Sequence, residues 1–387
     1  MTASPIARSI VQGFPENGRV AIFLHHLGGG GVERVMVNLM HGLVDLNIPV
    51  DLVIVSLTGP HVASIPSQVR IVNLNKERVS RAIWPLAQYL RREKPTALLT
   101  ALTHTNVAAV IARVLSRTRV RVAVSERNHI SFWYKRGQHP PLVRLCHRLR
   151  PWAYRKADAI ISISNGVGDD LAKLTGIDRS RITTIYNPTV TPELLIRSEE
   201  PVDHPWFAPG QPPVILGVGR FVDQKNFPLL INAFHRVRQQ RPARLVILGE
   251  GEKRAELESQ ISRLGLTQDV LLPGFVSNPY AWMKRSSVFV FSSDFEGLGN
   301  VLIEAMACGT SVISTACPSG PEEILLQGKV GRLIPVNDLP AMTEAILETL
   351  DRPQDPQSLI ERAKTFSCDV ITRQYLQLLV PGVRIDS

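Results

Sequence analysis

Cysteine is scarce in this sequence: 387 residues hold four, Cys146, Cys308, Cys317 and Cys368, and no two form a C-x-x-C pair. That excludes a disulfide framework and a multi-cysteine zinc site, and it fits a reducing compartment. Long apolar runs are missing as well. Residues 1–18 lack the apolar core of a signal peptide and read as a loose tail. The longest mildly apolar stretch, residues 95–112, is interrupted by Thr100, Thr103, His104, Thr105 and Asn106, which rules it out as a bilayer span. No H-x-x-H or D-x-D cluster stands out, so no metal is expected. The Gly-Lys-Ser/Thr of a P-loop is absent too, which argues against ATP hydrolysis.

What is present suits large cores. Apolar residues make up 44% and charged residues 20%, a balance that disordered chains do not have. At roughly 100 to 200 residues per domain the length implies two or three domains. The net charge of +10 is unevenly spread. Residues 1–190 carry 25 Lys and Arg against 11 Asp and Glu, a net +14, whereas residues 191–387 carry 19 against 23, a net −4. Such an asymmetry points the first half at a polyanion, or else gives it only a solvated basic face.

Short β-branched runs alternate with helical patterns throughout. In the first half they are VAIFLHH (20–26), VDLVIVSL (50–57), RIVNL (70–74), TALLTAL (96–102), VRVAVS (120–125) and AIISIS (159–164). In the second they are VILGVG (214–219), RLVILG (244–249), VLLPG (270–274), VFVFSS (288–293) and TSVIST (310–315). This pattern predicts an α/β chain of two Rossmann-like, doubly wound domains facing a cleft, residues 19–190 and 214–365. The Pro-rich, acidic segment 191–213 reads as a linker. Residues 366–387 hold an amphipathic helix that can cross back to the first domain.

Three glycine-bearing turns follow predicted strands. FEGLGNVLIEAMACG (295–309) turns through Gly297 and Gly299 into a helix whose free N–H groups suit a phosphate. Glu304 lies on an almost wholly apolar helix, where a sugar diol would satisfy its carboxylate; a first-turn helix charge is the plainer reading. GVGRFVDQKNF (217–227) supplies Arg220 and Lys225 for a diphosphate after Gly219, and Val222 stands where a dinucleotide fingerprint needs its third glycine. LGGGGVERV (27–35) lets backbone approach a ligand at Gly30 and Gly31. SERNHIS (125–131) gathers Glu126, Arg127 and His129 after a strand, as candidates for acceptor recognition. Residues 133–156 interleave Trp133, Tyr134, Leu142, Leu145, Trp152 and Tyr154 with Lys135, Arg136, Arg144, Arg148, Arg150, Arg155 and Lys156. That composition suits an anionic membrane surface; it also fits an ordinary basic helix, and no RNA-binding module accompanies it.

Taken together, FEGLGNVLIEA, GVGRFVDQKNF, LGEGEKRAELE (248–258), LPGFV (272–276) and CPSGPEEIL (317–325) resemble the retaining glycosyltransferases of family 4. Glu296 and Glu304 stand as the two acids of that family's E-x7-E signature. GGGVERV and SERNHIS resemble the subset that builds bacterial surface and lipid-linked glycans. The resemblance implies the GT-B fold and a nucleotide-diphosphate sugar, UDP-linked, as donor. The acceptor it implies is lipid-linked or a glycolipid, with no cofactor, metal or nucleic acid.

By the same resemblance, Arg220 and Lys225 neutralise the diphosphate, Glu304 binds the ribose and Glu296 a hexose hydroxyl. Gly297, Leu298, Gly299, Asn300 and Val301 offer amides, and Val276 lies by the base. Gly30 and Gly31 approach from the first domain. Many family members carry a His where this chain has Glu126 and Arg127. The expected location is cytoplasmic, peripheral to the inner membrane. Transfer to a soluble acceptor, or nucleotide-sugar binding without catalysis, are the alternatives.

Overall fold

The computed structural model describes residues 11–135 and 139–386. Residues 1–10 of the expected tail, and 136–138 of the basic segment with Arg136, lie outside the described residues. The chain divides into two compact units, one comprising residues 1–188 and 368–387, the other residues 189–367.

In the first unit the strands are β1 (Val11–Gln12), β2 (Val20–Leu24), β3 (Val50–Ile54), β4 (Arg70–Asn73), β5 (Ala97–Ala101), β6 (Arg121–Glu126), β7 (Ala159–Ser162) and β8 (Ile182–Thr184). Strands β2 to β8 form one parallel sheet in the order β4-β3-β2-β5-β6-β7-β8. Every residue of β2 is buried, as expected of a parallel strand covered on both faces. Alternation assigns those residues to two cores. Val20, Ile22 and Leu24 join a cluster with Met36, Leu39 and Met40 of the helix Gly31–Asp45. Ala21 and Phe23 join a second cluster with Leu86 and Leu90 of the helix Val79–Glu93 and Val107 and Val110 of the helix Thr103–Ser116.

The helix Cys368–Leu379 belongs to this unit, its Ile371, Tyr375, Leu376 and Leu379 completing the first cluster. Gly42 permits the close approach, because a Cβ there would lie 2.1 Å from Thr372 Oγ1. Cys368 Sγ donates to the Asn38 carbonyl at 3.1 Å. Beyond that helix, β15 (Arg384–Ile385) pairs antiparallel with β1. Residues 11–12 of the expected loose tail are therefore held in a two-stranded ribbon.

The second unit repeats the plan with β9 (Val214–Val218), β10 (Arg244–Leu248), β11 (Val270–Gly274), β12 (Val288–Phe291), β13 (Val312–Thr315) and β14 (Arg332–Ile334). All are parallel, in the order β11-β10-β9-β12-β13-β14.

The reading of 191–213 as a bare linker is corrected. Thr191 caps a helix, Pro192–Ser198, by accepting from Leu194 N at 3.1 Å, and Pro192 occupies the first turn where its missing N–H costs nothing. The helix is fixed to its own unit, Arg197 donating to the Ser277 carbonyl at 2.7 Å and Asn278 Nδ2 to the Arg197 carbonyl at 2.8 Å. Among the described residues no helix is long and apolar enough to cross a membrane.

Candidate functional site

In an open parallel sheet a crevice forms where neighbouring strands run their connections to opposite faces, and ligands bind there at the carboxyl ends. In the second unit that point lies between β9 and β12. Gly219 and Arg220 leave the end of β9, and residues 292–300 leave the end of β12. Lys225 Nζ lies 2.6 Å from Glu296 Oε1, their side chains 17% and 10% exposed, and Nζ stands 5.0 Å from the centre of the Phe291 ring. A sequence separation of 71 residues is thus closed into one ion pair.

Neighbouring bonds hold the two loops in register. Ser292 Oγ donates to the Lys225 carbonyl at 2.7 Å, Asp294 N to the Gln224 carbonyl at 2.9 Å, and Gln224 Nε2 to the Phe295 carbonyl at 2.8 Å. Asn226 Nδ2 donates to Asp294 Oδ1 at 2.8 Å, while Asn226 Oδ1 caps the helix Phe227–Arg238. Gly219 keeps room for the Lys225 stem, since a Cβ there would meet its Cε at 3.1 Å. Arg220 is exposed. Gln224, Asn226, Ser292 and Asp294 escaped the sequence reading; their positions just after strand ends were the available signal.

From Glu296 the chain turns through Gly297, Leu298 and Gly299 into the helix Asn300–Ala307, with Gly299 at φ 102°. Leu298 and Glu304 are buried at 2% and 1% exposure, and Asn300 and Val301 open the helix. The turn is braced from beneath by residues 317–320. Glu296 N donates to the Pro318 carbonyl at 3.2 Å. Gly320, at φ 101°, packs so closely that a Cβ would lie 1.9 Å from the Leu298 carbonyl oxygen. Burial pushes the nearby Cys317 thiol up to about 12, the Glu296 charge adding to the effect. Val276 is half-buried beyond the end of β11 at the sheet edge, separated from β9 by β10. Lys225, Glu296 and the turn 297–301 therefore share one strand-end crevice, while Arg220 leaves the end of β9 with its side chain exposed and Val276 stands two strands away.

In the first unit the corresponding point lies between β2 and β5. Gly30 precedes the helix Gly31–Asp45 without any side-chain cap, and both glycines are exposed. The acceptor-facing expectation for Glu126 and Arg127 is corrected. Glu126, 1% exposed, accepts from Tyr154 OH at 2.7 Å and Thr103 Oγ1 at 2.9 Å. Arg127, 3% exposed, donates to Asn187 Oδ1 at 2.7 Å and Tyr375 OH at 3.0 Å. Both are interior bonding groups that tie β6 to its surroundings. His129 remains half-buried, its Nδ1 3.5 Å from Asp170 Oδ2, and burial lowers its pKa against the opposing pull of that carboxylate.

The basic segment is also partly interior. Tyr154 and Arg150 are 0% and 5% exposed. Leu142, Leu145 and Trp152 are 48%, 49% and 40% exposed along the helix Pro141–Lys156, with Arg144, Arg148, Arg155 and Lys156 exposed beside them.

Known proteins share this organisation. Residues 29–191 match the family model "Glycosyltransferase Family 4", and residues 199–366 match "Glycosyl transferases group 1". The N-acetylgalactosamine-N,N'-diacetylbacillosaminyl-diphospho-undecaprenol 4-alpha-N-acetylgalactosaminyltransferase of Campylobacter jejuni is 29% identical over 94% of this chain and 99% of its own. The lipopolysaccharide core biosynthesis glycosyltransferase LpsE of Rhizobium meliloti is 27% identical over 92% and 97%. The Anabaena protein HepE, solved in complex with UDP-glucose, superposes with a TM-score of 0.72 at 18% identity, covering 93% of this chain and 99% of that one. With one family model on each unit and full-length relatives among bacterial glycan-building enzymes, this chain belongs to the family 4 glycosyltransferases of GT-B fold.

Proposed function

We propose that the enzyme is a retaining transferase that moves a hexose or N-acetylhexosamine from a UDP-linked donor to a lipid-linked or glycolipid acceptor, in the assembly of a bacterial surface polysaccharide or lipopolysaccharide. The observation that carries the donor assignment is the Lys225–Glu296 pair set against the Gly297–Gly299 turn in the crevice of the second unit. A cation, an adjacent carboxylate and a helix start give one place where a diphosphate and a sugar hydroxyl are met together.

In the reaction the bond from the anomeric carbon to the diphosphate oxygen breaks, and its electron pair leaves with the phosphate. The acceptor hydroxyl bonds to the same face of that carbon, and its proton passes to the departing diphosphate. Charge grows on the leaving group, so positioned donors supply the catalysis. Lys225, Arg220 and the amides of residues 297–301 are those donors. Glu296 holds the sugar and keeps Lys225 aimed, and Glu304 receives the ribose hydroxyls. Val276 borders the base.

Docking to the cytoplasmic face of the membrane is assigned to the helix Pro141–Lys156. Leu142, Leu145 and Trp152 supply the apolar contact, and each of the four exposed cations beside them contributes about 1 kcal/mol at an anionic surface. Two measurements test the proposal. Proton NMR of the product formed from UDP-hexoses or UDP-N-acetylhexosamines reads the anomeric configuration directly; inversion refutes the mechanism. Flotation with anionic vesicles at low salt is expected for the wild type and lost in an Arg144→Glu, Arg148→Glu variant; equal flotation of the two removes the docking assignment.

A further inference from the structure

The crevice between β2 and β5 in the first unit is lined by histidine. His25 and His26 directly follow β2, and His104 follows β5 at the start of the helix Thr103–Ser116. These are adjacent parallel strands, paired from Val20 with Ala97 to Phe23 with Thr100. The His25 ring lies 4.7 Å from His26 and 5.8 Å from His104, edge-on to the latter.

The chemistry of the cluster is specific. His26 Nδ1 accepts from Gly28 N at 3.0 Å, which leaves its proton on Nε2, a donor. Among the described residues no hydrogen bond to the half-buried His104 ring is found. Burial, with His25 and His26 adding repulsion, lowers the His104 pKa to about 4, and the positive helix end acts in the same direction. Burial lowers the His25 pKa as well, so His25 and His104 are uncharged at neutral pH. The cluster holds no metal-binding set, for among the described residues none is formed.

A neutral imidazole offers one in-plane donor and one acceptor, which matches a sugar hydroxyl and gives an anion nothing to neutralise. We propose that His25, His26 and His104 form the subsite for the acceptor's sugar ring, with His104 positioning a hydroxyl of that ring by accepting its proton in a hydrogen bond. This deepens the transferase reading and rests on it for the word acceptor, while binding itself is measurable without turnover.

The probe is farnesyl-diphosphate-linked N-acetylgalactosamine, with farnesyl diphosphate and UDP as comparators, each titrated calorimetrically into the full chain. The wild type is expected to bind the sugar-bearing probe more tightly than farnesyl diphosphate. His104→Ala and His25→Ala are expected to weaken the probe tenfold or more, and His104→Asn, which retains a hydrogen-bonding group, to recover to within threefold. Affinity for farnesyl diphosphate and for UDP stays within twofold in all three. The subsite is overturned if the wild type gains nothing from the sugar, if His104→Ala binds the probe within twofold of the wild type, or if UDP affinity and thermal stability fall in parallel with it. Histidine-dependent probe binding in a wild-type chain that transfers no sugar would instead condemn the transferase reading and leave the subsite standing.

Discussion

Replacing Lys225 by methionine separates what the Lys225–Glu296 pair does for the fold from what it does for the reaction. Methionine keeps an unbranched stem beside Gly219 and Phe291 and removes only the charge. The pair is neither fully buried nor exposed, at 17% and 10% of the side chains. Breaking a buried pair costs about 3 to 5 kcal/mol and a surface pair about 0 to 1, so a stranded Glu296 is expected to cost about 2 kcal/mol. For a unit of this size that is a fall in Tm of about 4 to 8 °C. Adding Glu296→Gln removes the stranded charge and is expected to restore most of that Tm.

Turnover should behave differently. Loss of one donor aimed at the developing charge costs about 10² to 10³ in kcat, and Glu296→Gln supplies no replacement cation. The double variant is therefore expected to be stable and slow. Differential scanning fluorimetry and steady-state release of the nucleotide read the two quantities separately. If Lys225→Met turns over within threefold of the wild type, or if the double variant recovers rate together with Tm, Lys225 is a structural lysine and the reasoning fails.

Two further outcomes are expected. Gly320→Ala forces a side chain into φ 101° and against the Leu298 carbonyl; the conformational term alone is about 1 to 2 kcal/mol, so the variant should unfold earlier in urea and bind UDP more weakly, whereas unchanged UDP affinity would show that the turn above it does not hold the nucleotide. His104 is neutral when folded, with a pKa of about 4 against 6.5 when unfolded, so the unfolded state takes up the proton first as pH falls. Its contribution is complete above about pH 6.5 and lost by about pH 4, and about 2 kcal/mol should already be gone at pH 5. Urea unfolding at pH 7.5 and 5 should show a pH dependence smaller by that amount in His104→Asn; an unchanged difference would refute it.

Much of the fold was legible because parallel strands buried on both faces read as unbroken apolar runs, as VAIFL and VILGV do. The strands that escaped, β8 and β14, are three residues long and lie at sheet edges, where no such run is required. The ribbon β1–β15 escaped because each half is two residues long and its partner is more than 370 residues away. Thr191-Pro192-Glu193 carried a helix-start signal that the surrounding prolines and acids obscured.

In the candidate site, glycine spacing pointed to a strand-to-helix turn at 297–299, and the structure forms one there, since such a turn is a local event. The 71-residue closure of Lys225 on Glu296 is a tertiary fact. So is the inward facing of Glu126 and Arg127: a strand-end position does not say which face a side chain takes, and the Tyr154 and Tyr375 hydroxyls that claim them come from distant helices. The histidines of the first unit lay in plain view after their strands, and only the adjacency of β2 and β5 makes them a group.

The central claim is that the donor's diphosphate lies in the crevice between β9 and β12. A crystal structure of the full chain grown with UDP tests it most directly. The expected density places the diphosphate within hydrogen-bonding distance of Lys225, Arg220 and the amides of residues 297–301, with both ribose hydroxyls on Glu304. Ordered UDP bound elsewhere, with the Lys225–Glu296 crevice unaltered, would contradict the account.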